Sequence, residues 1–326
     1  MDKSELADAV ISGDRRALAR AITLIESGRA DHRAAATALA ERFAAVDRSA
    51  LRIGLSGTPG VGKSTFVESF GKMLTGQGLK VAVLAVDPSS ARSGGSILGD
   101  KTRMERLARD PSAYIRPSPS QTALGGVARR TREAAAACEA AGFDVVLIET
   151  VGVGQSETQV AAMTDVFVLL LAPAGGDELQ GVKRGIMEIA DLVMINKADG
   201  ELKPAAIRTQ SDYAGALRLL RRRPEDPDDF PKAICVSATE GTGLAEAWAD
   251  ICALAEWRRE NGHFAARRAA QARSWFEEEV RNGLLDRLTS DLGLRAVMDR
   301  LGAEVEAGNC TPGAAAAELL RRLQSD

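Results

Sequence analysis

The segment that most constrains what this chain can fold into reads Gly57-Thr58-Pro59-Gly60-Val61-Gly62-Lys63-Ser64-Thr65. An apolar run, Leu51 to Leu55, precedes it, and a helical pattern begins at Thr65. A strand that turns through glycines into a helix directs consecutive main-chain N–H groups at one point, where a side chain would block a bound anion. Lys63 then reaches the outer phosphates, and the Ser64 hydroxyl becomes a magnesium ligand. The segment therefore predicts a site for a nucleoside triphosphate, with residues 57 to 65 around its phosphates.

The overall charge of the chain gives no general attraction to polyanions. Lys and Arg number 42 and Asp and Glu number 45, for a formal net charge of −3 over 326 residues. Such a balance produces no field that would concentrate nucleic acid or an acidic membrane surface at the protein. We therefore expect neither as a partner. The length allows one large domain with helical additions, or two domains.

The cysteines point to a reducing compartment. They are Cys138, Cys235, Cys252 and Cys310, which lie far apart and form no Cys-x-x-Cys pair. We expect them to be reduced thiols in a cytoplasmic protein. The first residues, Met1 to Glu5, lack the pattern of a signal peptide, and no apolar run is long enough to span a bilayer.

Six short apolar runs alternate with helical patterns from residue 51 onward. They are rich in β-branched residues and lack regular polar alternation, which is typical of strands buried on both faces of a parallel sheet. The runs are Leu51 to Ser56, Val81 to Val86, Val145 to Ile148, Val166 to Leu171, Val193 to Ile195 and Ile234 to Val236. We therefore predict a doubly wound α/β fold with a mostly parallel sheet and a ligand at the carboxyl ends of the strands.

Helical segments are predicted on either side of this core. Residues 1–48 are expected to form an N-terminal helical arm, 49–257 the P-loop domain and 258–326 a C-terminal helical region. In the arm, Asp14 is expected to cap one helix and Asp31 a second. Beyond residue 243 the pattern indicates only helices, namely Leu244 to Trp257, Arg258 to Leu288, Leu294 to Val305 and Ala314 to Leu323. Arg221 to Asp229 carries charges of both signs around two prolines and is interpreted as a solvated loop.

A second motif identifies the base. Asn196-Lys197-Ala198-Asp199 follows a predicted strand, where a loop would face the base of a bound nucleotide. The carboxylate of Asp199 can accept hydrogen bonds from N1–H and the exocyclic amine of guanine, whereas adenine has no N1–H. Asn196 would brace the loop, and Lys197 would lie along the base. Ser237-Ala238, at the end of the last strand, fits the remaining base loop, with a main-chain N–H on guanine O6.

Acidic residues supply candidates for the metal surroundings. Glu149 ends a strand in Glu149-Thr150-Val151-Gly152, where a carboxylate can hold the magnesium shell and the Gly152 N–H can meet the γ-phosphate. Asp87 and Asp100 are further candidates because magnesium on a triphosphate needs oxygen ligands or carboxylates that hold water. Asp87 could instead be a turn or cap residue before Pro88, and Asp100 a cap of a helix over Thr102 to Leu107.

Hydrolysis by this site is expected to be slow. Val153 follows Gly152, in the position where many fast GTPases have a glutamine that orients the attacking water. The loop from Ala172 to Lys183 is rich in small residues, so it can change shape with the nucleotide or can be an ordinary solvated connection. Gln155, Gln180, Lys183 or a partner residue could complete the site.

These motifs together resemble the P-loop GTPases that carry glutamate in place of the usual aspartate of the third guanine-nucleotide motif. Within that class, four segments look like the MeaB/ArgK branch, which assists adenosylcobalamin-dependent methylmalonyl-CoA mutase. The segments are Ser56 to Thr65, Val86 to Met104, Glu149 to Glu157 and Gly176 to Ile189. The likeness covers roughly the whole chain and is most specific from residue 51 to 240.

The resemblance implies roles for individual residues. Lys63 and Ser64 would bind phosphate and Mg²⁺, while Asp87, Asp100 and Glu149 would form the acidic surroundings of the metal. Asn196, Lys197 and Asp199 would read guanine. Lys63, Glu149, Gln180 and Lys183 are the candidates for catalysis. The candidates for a switch that reports the nucleotide state to the mutase are Arg103, Gln155, Asp177, Gln180 and Lys183. The branch also implies a homodimer joined by residues from about 258 onward, and no cobalamin site is evident in this chain.

Two other functions remain open on the sequence. A metal-insertion NTPase of the nickel type shares the glutamate of the third motif, but its relatives use Cys and His ligands near the switch loops. Here no histidine lies between His32 and His263. A small-molecule kinase or transport ATPase would require a preference for ATP, which Asp199 argues against.

Overall fold

The fold is built on a seven-stranded sheet in which every neighbouring pair is parallel, as the computed structural model shows for residues 3–27, 29–86, 104–117, 124–150, 156–173, 184–220 and 222–323. The strands are β1 (Leu51–Ser56), β2 (Val81–Val86), β3 (Ala113–Arg116), β4 (Val145–Thr150), β5 (Val166–Leu171), β6 (Leu192–Ile195) and β7 (Lys232–Cys235). Their order is β3-β2-β4-β1-β5-β6-β7. The predicted doubly wound α/β fold is confirmed, and the sheet is wholly parallel within these residues.

Thirteen α-helices and one short 3₁₀-helix accompany the sheet within the described residues. The α-helices are α1 (Lys3–Ile11), α2 (Arg15–Glu26), α3 (Ala30–Ala44), α4 (Lys63–Gly76), α5 (Glu105–Ala108), α6 (Leu124–Ala140), α7 (Ser156–Ala161), α8 (Arg184–Ile189), α9 (Lys203–Arg218), α10 (Leu244–Glu260), α11 (His263–Ser290), α12 (Leu292–Glu306) and α13 (Pro312–Leu323). The 3₁₀-helix, Gly200–Leu202, lies between β6 and α9.

Burial of the central strands explains their apolar sequences. All residues of β1, β2, β4, β5 and β6 are buried. On one face of β1, Leu51, Ile53 and Leu55 belong to a core cluster that includes residues of α4 and α10. On the other face, an added Cβ at Gly54 would lie 2.9 Å from Val160 of α7. Helices on both faces leave no solvated side, so the period-two alternation of a one-sided sheet is absent.

One strand was not predicted from the sequence. β3 is four residues long and pairs with β2 alone, at the edge of the sheet. Its last two residues, Ile115 and Arg116, are only half-buried. A short, partly polar edge strand lacks the continuous apolar run that identified the other six. The arm covers this edge: the guanidinium of Arg15 donates to Ala113 O at 2.5 Å, and that of Arg116 pairs with Glu26.

The N-terminal arm confirms one predicted cap and overturns another. Asp14 caps α2 by accepting from the main-chain N–H groups of Arg16 and Ala17, at 2.7 and 2.9 Å. Asp31 is not the N-cap of the second helix, because α3 already begins at Ala30. It lies in the first turn and pairs with Arg29 at 2.8 Å instead.

The helix predicted over Thr102 to Leu107 also differs. Within the described residues, helix α5 covers Glu105–Ala108 and Met104 precedes it without helical geometry. Its start is fixed from outside the segment, since Glu68 of α4 accepts from the N–H of Arg106 at 2.7 Å.

The interpretation of residues 221–229 as a solvated loop is only partly right. Arg222 and Asp228 form an exposed ion pair, as expected. In contrast, Asp226 is buried and accepts from the Arg258 guanidinium, with Nε at 2.9 Å. Arg223 donates to Asp191 at 2.7 Å. The loop turns these two charges inward because buried groups of opposite sign stand at the amino ends of β5 and β6.

The chain divides into two compact units, Met1–Arg268 and Ala269–Asp326. The first contains the sheet and the N-terminal arm, whose helices α2 and α3 pack on α6. The second is helical, as predicted for this region. Within the described residues, no helix combines the length and apolar character needed to cross a bilayer.

Candidate functional site

Close packing around the glycine-rich loop between β1 and α4 explains two of its glycines. A Cβ on Gly57 would lie 2.2 Å from the carbonyl oxygen of Leu170 in β5. Gly62 has φ = 90°, and a Cβ there would lie 2.9 Å from Asn196 Nδ2. Neither position has room for a side chain, and the second also has a backbone conformation that favours glycine. At these two positions no side chain covers the main chain, which leads directly into the first turn of α4. A glycine-rich loop that precedes a helix in this way is an arrangement that binds phosphate.

Lys63, the first residue of α4, folds back over this loop. Its ammonium donates to Gly57 O at 2.5 Å and to Thr58 O at 3.3 Å. Burial lowers the pKa of Lys63, while the negative charges of Glu149 and Glu157 act in the opposite direction. The cation is thus held against the main chain of the phosphate loop.

Most of the other residues around the loop are accessible to solvent. Thr58, Pro59 and Gly60 are exposed, as is Thr65, and Ser64 is half-exposed. The Ser64 hydroxyl has no hydrogen-bond partner among the residues that the structure describes. A hard oxygen donor beside a phosphate loop, with the carboxylate of Glu149 nearby in β4, fits the ligand chemistry of Mg²⁺.

Glu149 lies next to the phosphate loop through the register of the sheet. Its Cα is paired with Leu55 of β1, two residues before Gly57, and with Ala85 of β2. The side chain is 3% exposed. The two flanking strands position this buried carboxylate. Its negative charge acts to raise the pKa of Lys63. The structure therefore brings together two of the predicted catalytic residues.

Sequence reasoning missed Glu157 as a member of this site. It belongs to α7, is 3% exposed and contributes to the field at Lys63. A glutamate in the first turn of a six-residue helix looks like an ordinary favourable charge at a helix start. Only the fold reveals that it is buried near the phosphate loop.

Asn196 joins the base loop to the phosphate loop. Its Nδ2 donates to Val61 O at 2.8 Å, and its Oδ1 accepts from the N–H of Ala238 at 3.0 Å. The side chain is 2% exposed. Asn196 thus connects its own segment to two others that are far from it in the sequence.

Lys197 and Asp199 belong to the same segment after β6 and make different contacts. Lys197 has φ = 58° and its Nζ donates to Gly60 O at 2.7 Å, which extends its stem across the phosphate loop. The Asp199 carboxylate accepts from the hydroxyl of Ser237. Ser237 also accepts from the N–H of Glu240 at 3.0 Å, so its hydroxyl proton is directed to Asp199. This arrangement fixes the orientation of the carboxylate.

Ala238 has both of its main-chain polar groups in use. The N–H donates to Asn196, and the carbonyl accepts from Ser69 Oγ of α4 at 2.6 Å. Any contact of this N–H with guanine O6 would be shared with Asn196, in the manner of a three-centre bond. Ser69 was not among the predicted residues, because a single serine in a helix carries no sequence signal.

Several predicted site residues lie outside the described residues. They are Asp87, Asp100, Arg103, Gly152, Gln155, Asp177, Gln180 and Lys183. The described part of the site therefore consists of the loop and start of α4, Glu149 of β4, and the two segments after β6 and β7. These segments meet because the strands end at the same edge of the parallel sheet.

Comparison with known proteins gives consistent results. A family model described as "Methylmalonyl Co-A mutase-associated GTPase MeaB" matches residues 18–292. A putative GTPase of Caulobacter vibrioides is 53% identical over 98% of this chain and 97% of its own length. The mitochondrial methylmalonic aciduria type A homolog of Mus musculus is 49% identical over 97% of this chain and 78% of its own length.

A solved structure shows the same fold. The crystal structure described as "LAO/AO transport system kinase" has 36% sequence identity and a TM-score of 0.76, and the match covers 99% of this chain and 97% of that one. The resemblance drawn from the sequence motifs is confirmed by the family model and the relatives. The chain belongs to the MeaB family of P-loop GTPases and is itself a guanine-nucleotide-binding GTPase.

Proposed function

We propose that this GTPase is a chaperone of methylmalonyl-CoA mutase that gates delivery of adenosylcobalamin to the enzyme and protects it from inactivation. The observation that carries the proposal is the match of the family described as mutase-associated over residues 18–292. Hydrogen bonds connect the phosphate loop to the base loop. This connection supports the proposal that the site holds one nucleotide tightly and responds to its outer phosphate.

Guanine would be read by groups that are already oriented. Asp199 accepts the Ser237 hydroxyl, yet each carboxylate oxygen has a further lone pair for the N1–H and exocyclic amine of guanine. Lys197 would lie along the base, and the Ala238 N–H would meet O6. Adenine offers no N1–H to Asp199, so the site would favour GTP over ATP.

The phosphates and the metal would be held by the loop and its surroundings. The main-chain N–H groups of residues 57 to 65 would enclose the phosphates, and Lys63 would move from Gly57 O to the outer phosphates. Mg²⁺ would be held by the Ser64 oxygen and by carboxylates including Glu149, with Asp87 and Asp100 as further candidates. When bound, the metal neutralises negative charge that develops on the phosphates during transfer.

Hydrolysis would be slow in the isolated chain and faster with the partner. Val153 stands where many fast GTPases have a glutamine. Gln180 and Lys183 would complete the catalytic groups, and Arg103, Gln155 and Asp177 would report the nucleotide state to the mutase. The Gly152 N–H would sense the γ-phosphate.

We further propose that the chain forms a homodimer through residues from about 258 onward, with 1–48 as an arm and 49–257 as the nucleotide domain. Along α11, Phe276, Val280 and Leu284 follow a four-residue spacing and are 67%, 46% and 48% exposed. Such a stripe of large apolar side chains is typical of a helix that packs on another surface. The four cysteines are free, which supports a cytoplasmic location.

Turnover of GTP with and without purified methylmalonyl-CoA mutase tests the chaperone role. We expect the mutase to accelerate hydrolysis. We also expect the two proteins to elute together on gel filtration, in an amount that differs between GDP and a non-hydrolysable GTP analogue. Lys63→Ala serves as the control for contaminating GTPase activity. An unchanged rate together with no complex in either nucleotide state would overturn the proposal.

A further inference from the structure

A closed circuit of hydrogen bonds joins the phosphate loop to the base loop, and its last member is outside both motifs. Val61 O accepts from Asn196 Nδ2, and Asn196 Oδ1 accepts from the Ala238 N–H. The carbonyl of Ala238 then accepts from Ser69 Oγ at 2.6 Å. Ser69 is a residue of α4, which begins at Lys63 just after the phosphate loop. The chain of contacts therefore ends in the helix that directly follows the phosphate loop in which it began.

The contact of Ser69 is unusual for a serine within a helix. A helical serine commonly donates its hydroxyl to the carbonyl four residues earlier. Ser211 of α9 does so, with its Oγ 3.0 Å from Ile207 O. Ser69 instead donates across 169 residues of sequence to the base loop. Its hydroxyl is thus used to join two parts of the fold.

The circuit fixes both peptide units that flank Ala238. Asn196 holds the unit that contains the Ala238 N–H, and Ser69 holds the unit that contains the Ala238 carbonyl and the Thr239 N–H. Because a peptide unit is planar, fixing the carbonyl also fixes the direction of the N–H on its other side. Asn196 has little freedom to adjust, since it is buried and both polar atoms of its amide are hydrogen-bonded.

We infer that Ser69 is a positioning residue for recognition of the 6-oxo group of the purine. By holding the Ala238 carbonyl it fixes the second of the two peptide units around Ala238, and together with Asn196 it thereby sets the direction of the Ala238 N–H that would donate to O6. Recognition of the 2-amino group does not depend on it, because Ser237 orients Asp199 separately. This inference rests on the proposed contact of the base loop with guanine O6.

Two nucleotide analogues separate the contributions of the 6-oxo group and the 2-amino group to binding affinity. 6-Thio-GDP keeps N1–H and the 2-amino group but replaces O6 with sulfur, which is a weaker acceptor. IDP keeps O6 but lacks the 2-amino group. Dissociation constants for GDP, 6-thio-GDP and IDP are measured by calorimetry for the wild type, Ser69→Ala, Ser69→Thr and Ser211→Ala. Ser211→Ala is the matched control, since it also removes a helical hydroxyl that donates to a carbonyl.

For Ser69→Ala we expect the affinity for GDP to fall about fivefold, the equivalent of one ordinary hydrogen bond. The affinity for 6-thio-GDP should fall less, so that the preference for GDP over 6-thio-GDP shrinks, while the ratio of GDP to IDP stays constant. Ser69→Thr retains a hydroxyl and should retain both ratios. Ser211→Ala should change neither.

An equal loss of affinity for GDP and 6-thio-GDP would overturn the inference, because it would show that Ser69 only stabilises the fold. No loss at all would overturn it as well. If Ser69→Ala does not fold, Ser69→Cys, with a side chain of similar shape and a weak donor, is judged by the same ratio. A wild type that binds ADP as well as GDP would instead refute the proposed guanine site, so the two failures are distinguishable.

Discussion

The hydroxyl of Ser237 donates to the carboxylate of Asp199, 38 residues earlier in the chain. The two residues follow neighbouring strands, β6 and β7, whose carboxyl ends lie side by side. The carboxylate is therefore oriented before any nucleotide arrives, and the entropy of ordering it is not lost on binding. This preorganisation is the structural basis of the predicted choice of base.

Replacing Asp199 with asparagine should change the preferred base of the site from guanine to xanthine. The amide of Asp199→Asn presents a donor where the exocyclic amine of guanine also donates, whereas xanthine has a carbonyl oxygen there. We expect the affinity for GDP to fall about 100-fold, because one charge-assisted hydrogen bond is lost and two donors then face each other, and the affinity for XDP to rise. Competition binding with both nucleotides measures this. The control is Asp212→Asn, an exposed position of α9 that should change neither. Equal binding of GDP by Asp199→Asn and the wild type would contradict the base assignment.

Replacing Lys63 with methionine should strongly weaken binding of the triphosphate. The variant keeps most of the side-chain volume but removes the ammonium that now contacts Gly57 O and Thr58 O. Charge-assisted contacts of this kind contribute about 2 kcal/mol each, so we expect at least about a 30-fold loss of affinity for GTP and a larger loss of turnover. A fluorescent GTP analogue reports the affinity. Lys80→Met, at an exposed lysine before β2, is the control. Retained turnover in Lys63→Met would exclude the predicted role.

Replacing Arg258 should destabilise the fold without touching the nucleotide site. Its guanidinium lies 2.7 Å from Asp191 and 2.5 Å from Asp226, and all three side chains are at most 2% exposed. Burial alone would raise the pKa of Asp191, but the charge and hydrogen bond of Arg258, together with the charges of Arg267 and Arg223, outweigh it and the pKa is lowered. Arg258→Met leaves two buried carboxylates with less compensation, which should cost about 3–5 kcal/mol of unfolding free energy.

Urea denaturation measures that cost, and Arg222→Met supplies the comparison. Arg222 pairs with Asp228 at the surface, with side chains 79% and 91% exposed, so its loss should change stability by less than about 1 kcal/mol. Similar losses for the two variants would show that the buried network is not what stabilises this end of the sheet.

Tyr114 of β3 should make stability depend on alkaline pH. Burial raises the pKa of its phenol to about 12, from an ordinary value of 10. Below pH 10 the phenol is protonated in both the folded and the unfolded chain. Between these values the unfolded chain releases the proton more readily, so stability is lost as the pH rises. Tyr114→Phe should lack this part of the decline. Parallel pH profiles of unfolding free energy for the two proteins would contradict the assignment.

The features that could be predicted from the sequence are those determined by short, contiguous stretches of residues. Five of the six predicted strands appeared as apolar runs because both of their faces are buried. The sixth, β7, is mostly half-buried and was recognised from its short apolar run alone. The phosphate loop and Asn196 to Asp199 appeared because phosphate and guanine each demand a fixed order of residue types. Asp14 was correctly predicted as a helix cap. The cap predicted at Asp31 was wrong because α3 begins at Ala30.

Contacts between distant segments could not be predicted in this way. Ser69 meets Ala238, and Arg258 meets Asp191 and Asp226, only once the sheet has formed. The edge strand β3 is defined by its pairing with β2 and not by its own composition. Each of these features depends on which strands become neighbours, and a local pattern carries no information on that.

The most direct test of the central claim is calorimetric titration of the full chain with GTP and with ATP in the presence of Mg²⁺. The account predicts a single site with clear preference for GTP, because Asp199 can pair with the N1–H and amine of guanine alone. Equal affinity for the two nucleotides, or binding of neither, would contradict it.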